Sequence, residues 1–379
     1  MCGMRIAMLT HSTNPRGGVV HALELCEALA QVGHHPVLFA PDTTGAGFYR
    51  AAACETRPWP AAAAPREVAA LVARRRAELL CLFTPDLCAG FDLFHAQDSI
   101  SANALADLQD AGRIGAYLRT VHHLDDFADP ELAALQARGV NAARTLFAVS
   151  PAGRAALAAS FGRDATLIGN GVDTARFSPM PDAQDAALRA RLTLGSGPVV
   201  LSLGGVEKRK NTLGILQGFR AFRAAHAQAV LVIAGGASLL DHSAYQREFF
   251  DALAQSGLPD GAVRVLGKIP QSDMPALYRL ADMLAFPSLH EGFGLAVLEA
   301  MASGTPVLVP RCPPFTDYLT EPDAAWCDAG DIAGAMQFCL RHAAALRASG
   351  LQVAARWRWA DVAAAHLPIY QQQREPAHA

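Results

Sequence analysis

The sequence predicts an α/β protein of two doubly wound parallel-sheet domains. Strand-like and helix-like segments alternate along nearly the whole chain, the pattern of parallel strands joined by helical crossovers. The alternation restarts after a stretch at 178–197 that is rich in proline, glycine and charge. The chain has 379 residues, more than one hydrophobic core usually organises.

In the first half, short apolar runs bounded by turn residues read as strands at 4–11, 35–42, 91–98, 117–123, 145–150 and 165–169. Longer stretches with apolar residues at helical spacing read as helices at 18–32, 66–80, 101–111, 130–142 and 151–161. In the second half, strands read at 198–205, 229–236, 262–268, 282–288 and 305–310, with helices at 211–225, 243–256, 273–280, 295–302 and 331–348. The resulting division is a first domain over 1–177, a linker carrying a short helix over 178–197, and a second domain over 198–357. Trp357 and Trp359 lead into an amphipathic terminal helix over about 358–373, ending near Tyr370. Pattern alone allows that helix to close its own domain or to return to the first. Ligands of such sheets bind at strand carboxyl ends, which here would line a cleft between the domains.

The formal net charge of -3 argues against broad nucleic-acid binding. Apolar runs are broken well before the ~20 residues of a membrane span, and the opening MCGMRIAMLTH reads as a short strand, not a signal peptide. The expectation is a soluble cytoplasmic protein. Arg74, Arg75 and Arg76 read as a solvated helix face, with an anionic membrane surface or an acidic acceptor as the alternative. The eight cysteines, at 2, 26, 54, 81, 88, 312, 327 and 339, form no Cys-x-x-Cys pair and no zinc spacing. They read as small buried hydrophobes in a reducing compartment.

The most informative run is HEGFGLAVLEAM (290–301). Glu291 and Glu299 are separated by seven residues, among them a Gly292-Phe293-Gly294 loop and a helix beginning near Leu295. Glycines let the backbone turn tightly and approach a ligand. A helix start offers amide hydrogens and the positive end of its dipole, which suits phosphate. Glu299 lies just over one turn into that helix, near the same ligand. Two carboxylates around a phosphate seat suit a molecule with both hydroxyls and phosphates, such as a nucleotide sugar. The plain alternative is an exposed loop glutamate and a surface helix glutamate.

Other runs add to this. In NPRGGVVH (14–21), Gly17 and Gly18 open a helix after the first strand, either as a second anion seat or as a simple turn. His21, in the helix's first turn and a half, faces either the cleft or the surface. GGVEKRKN (204–211) puts Lys208, Arg209 and Lys210 at a strand's carboxyl end. A cation run is otherwise a solvated face, but at this place lysine can act as a point charge on phosphate and arginine as a clamp. TVHH (120–123) ends another strand with His122, a ligand contact or a structural residue, and His123 on the opposite face. Asp125 and Asp126 read as a turn, not a metal site. Asn170-Gly171 suits a turn with positive φ. Gly267 and Lys268 end a strand of the second half.

Taken in order and spacing, PSLHEGFGLAVLEAMASGTPVL (287–308), with NPRGGVVH, TVHH, IGNGVDTARF (168–177), GGVEKRKN, LVIAGG (231–236) and VLGKIPQSDMPALYRLADMLAFPS (265–288), resembles the retaining glycosyltransferases of family 4. The resemblance covers nearly the whole chain. It implies a GT-B fold, a last helix that crosses back to the first domain, and transfer of a hexose from a nucleoside diphosphate sugar to an unknown acceptor hydroxyl. No metal or other cofactor is implied. In that family's pattern Glu291 holds sugar hydroxyls and Glu299 the ribose, while His122 contacts the donor sugar. The loops at Gly17-Gly18 and Gly292–Gly294 approach the diphosphate, and the base sits near Gly267 and Lys268. The family commonly has an arginine where this chain has Gly205. A family variant with adjacent Arg-Lys matches Arg209 and Lys210, leaving Lys208 at the surface. The resemblance leaves two rivals: a GT-B sugar-nucleotide epimerase or phosphorylase, and a catalytically silent nucleotide-binding protein.

Overall fold

The structure is a computed structural model and describes residues 3–65, 67–236 and 242–374. Cys2 and Arg66, which fall within readings above, lie outside them. The chain forms two compact units. Residues 1–171 with 359–379 make the first, and 172–358 make the second.

The first unit runs β1 (Arg5–Leu9), α1 (Gly17–Gln31), β2 (His35–Asp42), β3 (Glu55–Pro60), α2 (Val68–Leu82), α3 (Pro85–Ala89), β4 (Leu93–Ala96), α4 (Ser99–Asp110), β5 (Leu118–Val121), α5 (Pro130–Asn141), β6 (Thr145–Ala148), α6 (Pro151–Phe161) and β7 (Thr166–Leu167). Its seven strands among the described residues are all parallel, in the order β3-β2-β1-β4-β5-β6-β7. Leu9, Val37, Phe39, Ala96 and Leu146 lie in a fully apolar core beneath the helices. Burying one such leucine or phenylalanine contributes roughly 1.5–3 kcal/mol. The strand β3, ETRPWP, has no counterpart in the sequence reading. Its Pro58 and Pro60 lack amide hydrogens, which is tolerable because β3 is a sheet edge.

The second unit runs α7 (Ala183–Arg191), β8 (Val199–Leu203), α8 (Thr212–Ala225), β9 (Val230–Ala234), α9 (Ser243–Ala254), β10 (Val263–Gly267), α10 (Met274–Leu280), β11 (Met283–Ala285), α11 (Leu295–Ala302), β12 (Val307–Pro310), β13 (Ala325–Cys327), α12 (Ile332–Arg341) and α13 (Ala343–Arg356). Its strands are again parallel, in the order β10-β9-β8-β11-β12-β13. Residues 178–197 are not a free linker: Arg279 on α10 ties α7 down through Asp182 and Asp185 at 2.7 and 2.6 Å. The single helix expected over 331–348 is two, broken at His342. The last helix, α14 (Trp359–Gln373), belongs to the first unit.

In each sheet the strand order reverses at one place, β1 beside β4 in the first and β8 beside β11 in the second. Loops at the carboxyl ends of such strands flank a natural ligand crevice. Asp98 caps α4, which follows β4, and Asp129, Ser150 and Asp182 cap α5 to α7. The helices α1, α8 and α11, which follow β1, β8 and β11, have none. No helix of the described residues is long and apolar enough to cross a membrane.

Candidate active site

In the second unit, residues from two loops at the switch point meet. After β8 the chain turns through Gly204 and Gly205, at φ +116 and +78. A Cβ on Gly204 would stand 2.4 Å from Lys210 Cε, so only glycine lets the lysine fold back over the strand end. Lys208–Lys210 form one 3-10 turn, with Lys208 and Arg209 exposed and Lys210 buried. The loop after β11 brings Glu291 to this turn. Its Oε1 accepts from Lys210 Nζ at 2.5 Å and from Arg209 at 2.8 Å. Lys210 Nζ also stands 4.2 Å over the Phe286 ring. Burial alone would raise the Glu291 carboxyl, but Lys210 and Arg209 hold it below the usual carboxylate range. Burial draws the Lys210 ammonium down, Glu291's charge opposes this, and Arg209's adds to it.

Gly294 takes φ +96 at the start of α11, and a Cβ there would stand 2.8 Å from Phe315. Phe293 is buried, stacked on Tyr318 at 4.8 Å, and its carbonyl accepts from the Tyr318 hydroxyl at 3.2 Å. Gly292 and Leu295 flank it, both half-buried. The loop is therefore stiffly held. One turn on, Glu299 accepts from the buried Tyr278 hydroxyl at 2.6 Å. Burial raises its carboxyl despite that hydrogen bond. It is neither an exposed nor an ordinary surface glutamate. Gly267 ends β10 at φ +66, and exposed Lys268 packs its stem against Gly236.

The first unit's switch point is built from histidines. His122 follows β5, and its Nε2 lies 3.0 Å from Gln97 Oε1, in the loop after β4. Gly17 is exposed, whereas a Cβ on Gly18 would stand 3.0 Å from the His122 ring. His21 faces neither a cleft nor the surface; it is fully buried, with Nδ1 2.8 Å from Asn170 Oδ1 and its ring 4.8 Å from His122. The positive φ expected at Asn170-Gly171 falls instead on Gly169, which leaves Asn170 in place for His21. Two further histidines complete the group. His95 bonds the Tyr370 hydroxyl at 2.7 Å and Thr120 at 2.9 Å, and His366 Nδ1 donates to the Val362 carbonyl at 2.8 Å. Burial lowers all four, His21 to about 4, His366 to about 3, and His95 and His122 well below their ordinary value.

Other expectations change. The arginine run is not a solvated face: Arg75 is buried against Glu78, Arg76 grips Asp107 at 2.7 Å, and Arg74 donates to the Ala63 carbonyl. Cys26, Cys88, Cys327 and Cys339 are buried, but Cys81 is exposed. Asp125 lies 3.4 Å from exposed His123, and the described residues hold no group of three His, Cys, Asp or Glu fit for a metal. Sequence reading missed Tyr278, Gln97, His95 and His366. The helical spacing of Trp359, Val362, His366 and Tyr370, which marks one inward face, was the available signal for the last.

Two family profiles match the chain, "Glycosyltransferase Family 4" over residues 15–176 and "Glycosyl transferases group 1" over 185–338. A GDP-mannose-dependent alpha-(1-6)-phosphatidylinositol monomannoside mannosyltransferase of Mycolicibacterium smegmatis is 30% identical over 247 residues, 60% of this chain and 62% of that protein. A D-inositol 3-phosphate glycosyltransferase of Salinispora arenicola is 38% identical over 148 residues, 36% of this chain and 32% of that protein. The chain thus spans between about a third and 62% of the length of these relatives. In fold it is similar to sucrose-phosphate synthase of Thermosynechococcus elongatus, with TM-score 0.77, 22% identity and 97% and 98% of the two chains covered. It is also similar to Anabaena HepE in complex with UDP-glucose, with TM-score 0.76, 18% identity and 97% and 100% covered. Two parallel-sheet units of this fold, each with its own matching profile, place the chain in glycosyltransferase family 4, of the GT-B fold.

Proposed function

We propose that this chain transfers a hexose from a nucleoside diphosphate sugar to an acceptor hydroxyl, with retention at the anomeric carbon and without a metal. The observation that carries the reading is the meeting of Lys210, Arg209 and Glu291 beside the uncapped start of α11. The donor diphosphate would take over the two cations, with the Gly292–Gly294 loop and the first amides of α11 adding to them. Glu291 is then released from its ion pair to hold sugar hydroxyls and to offset positive charge at the anomeric carbon. Glu299, fixed by Tyr278, holds the ribose hydroxyls, and the base lies near Gly205, Gly267 and Lys268. In the first unit, His122 offers itself to a sugar hydroxyl, with the Gly17-Gly18 turn beside it.

The bond from the anomeric carbon to the diphosphate oxygen breaks as the acceptor oxygen bonds on the same face. The departing phosphate oxygen takes the acceptor's proton. Family membership supports retention, and the cations already present supply the charge a metal would otherwise bring. The Mycolicibacterium relative is GDP-mannose-dependent and the fold neighbour HepE holds UDP-glucose, so the base is set by experiment. Thermal shift with UDP, GDP, ADP and their sugars should single out one family of ligands by raising apparent stability. Turnover of that donor should survive EDTA. Loss of turnover with EDTA and its restoration by magnesium or manganese would overturn the metal-free reading. Binding of a nucleoside diphosphate with no turnover across a donor panel would favour the silent-binding rival.

A further inference from the structure

Gln97 is almost fully buried at the carboxyl end of β4 and makes no direct use of its side chain for the sheet. Its amide has two distinguishable sides. One atom lies 2.9 Å from Met8 Sδ and 3.5 Å from His95 Nε2; the other lies 3.0 Å from His122 Nε2. A thioether sulfur only accepts, so the NH2 group must face Met8 and the carbonyl oxygen must face His122. The reverse orientation would press a carbonyl lone pair against the sulfur. An amide oxygen only accepts, so His122 Nε2 must carry a hydrogen.

The opposite edge of the ring is thereby determined. The Nε2–Cδ2 edge is used inside the unit, by Gln97 and by the close approach of Gly18. A neutral imidazole with hydrogen on Nε2 has its lone pair on Nδ1. We propose that Gln97 is a positioning residue that locks His122 in the Nε2–H tautomer, making Nδ1 an acceptor selective for a sugar hydroxyl that donates. The inference rests on the reading above that His122 meets the donor sugar. Neutrality is supported by the surroundings. His21 on α1, His123 just after β5, His95 on β4 and Arg119 on β5 all disfavour a charge on His122, after burial itself. Gln97 adds a neutral acceptor, where a carboxylate would have stabilised imidazolium.

The test combines imidazole NMR with kinetics. Long-range proton–nitrogen spectra of the full chain with labelled histidine should show His122 as the Nε2–H form. In Gln97→Glu the carboxylate should raise the His122 pKa, and kcat/KM should gain a limb rising with pH between about 5 and 8 that the parent lacks. Gln97→Met should lower kcat/KM about tenfold without that limb, and a donor lacking the contacted hydroxyl should lose the difference between the two chains. A merely structural glutamine would give no new ionisation. An Nδ1–H form in the parent, or an unmoved His122 titration in a folded Gln97→Glu chain, would overturn the lock. If the tautomer is as expected but His122→Ala turns over at the parental rate, the donor-contact reading fails instead.

Discussion

The two switch points are built from opposite materials. In the first unit four imidazoles are buried and held by hydroxyl, amide and carbonyl partners, with Asp98 and the buried Arg119 as the charged groups near them. In the second they are full charges, Lys210 and Arg209 against Glu291, with the buried Glu207 3.9 Å from Arg209. The same sheet topology thus presents two kinds of surface. A neutral network is suited to orienting hydroxyls, whereas a charged one can exchange an internal ion pair for an anionic ligand. Removing a partner from the second leaves a buried charge behind, which costs more than losing a neutral hydrogen bond.

The largest expected effect is at Glu291. Glu291→Gln keeps the shape, leaves Lys210 and Arg209 facing Glu207 alone and removes the carboxylate proposed to offset charge at the sugar. Turnover should fall about 100- to 1000-fold, as for loss of one preorganised electrostatic group, while affinity for the nucleoside diphosphate holds or rises. Steady-state kinetics with calorimetry on the diphosphate checks this. Parental turnover in that variant would remove the charged site from catalysis.

Acid should separate the two units next. His21 sits at about 4, below its ordinary 6.5, so the unfolded chain binds more protons between these values. Stability from His21 is full above pH 6.5 and is lost as pH falls toward 4, on the order of 3 kcal/mol for this group. Glu291 is depressed below its ordinary 4.5, so its contribution is retained until pH falls below that value. Hydrogen exchange at pH 5 should therefore show β4 and α14 losing protection while β8 and α11 keep theirs. Parallel loss in both would mean that the histidines do not set the acid response.

Lys210→Ala should weaken nucleoside diphosphate binding by roughly 1.5–3 kcal/mol, the worth of a charge-assisted contact, and leave the fold intact. Unchanged affinity by calorimetry would remove Lys210 from the phosphate seat. The smallest effect belongs to Tyr278→Phe, which deletes the hydroxyl that orients Glu299. About 1 kcal/mol, or fivefold in KM with kcat unchanged, is expected for a contact similar in ground and transition states. A fall in kcat instead would make Glu299 part of the chemistry.

The charged switch point was readable because its residues lie in two short runs, EKRK and HEGFG, each beside glycines whose spacing is itself informative. What those runs do not encode is that Glu291 and Lys210 bind each other, since that depends on how two loops meet. The neutral switch point was largely hidden. His95 and Tyr370 lie 275 positions apart, and no local pattern joins them. His21 looked like a helix residue of either face because its burial comes from residues far along the chain, His122, Asn170 and Trp359. The edge strand β3 escaped because proline normally argues against a strand, and only its place at the rim permits it. Likewise β13 spans only Ala325–Cys327, too short for alternation to show.

Val172 N–H donates to the Trp357 carbonyl at 2.9 Å, so the chain enters and leaves the second unit side by side. The second unit is one uninterrupted length, and the first is two pieces closed by α14. On the ribosome, the later-made unit is therefore complete before the earlier one can be. Until Trp359, His366 and Tyr370 emerge, His21 and His95 lack partners that they have in the finished fold. In genetic terms the second unit sits in the first like an inserted cassette, and a short glycine-serine bridge from residue 171 to 359 would excise it and still let α14 close the histidine network.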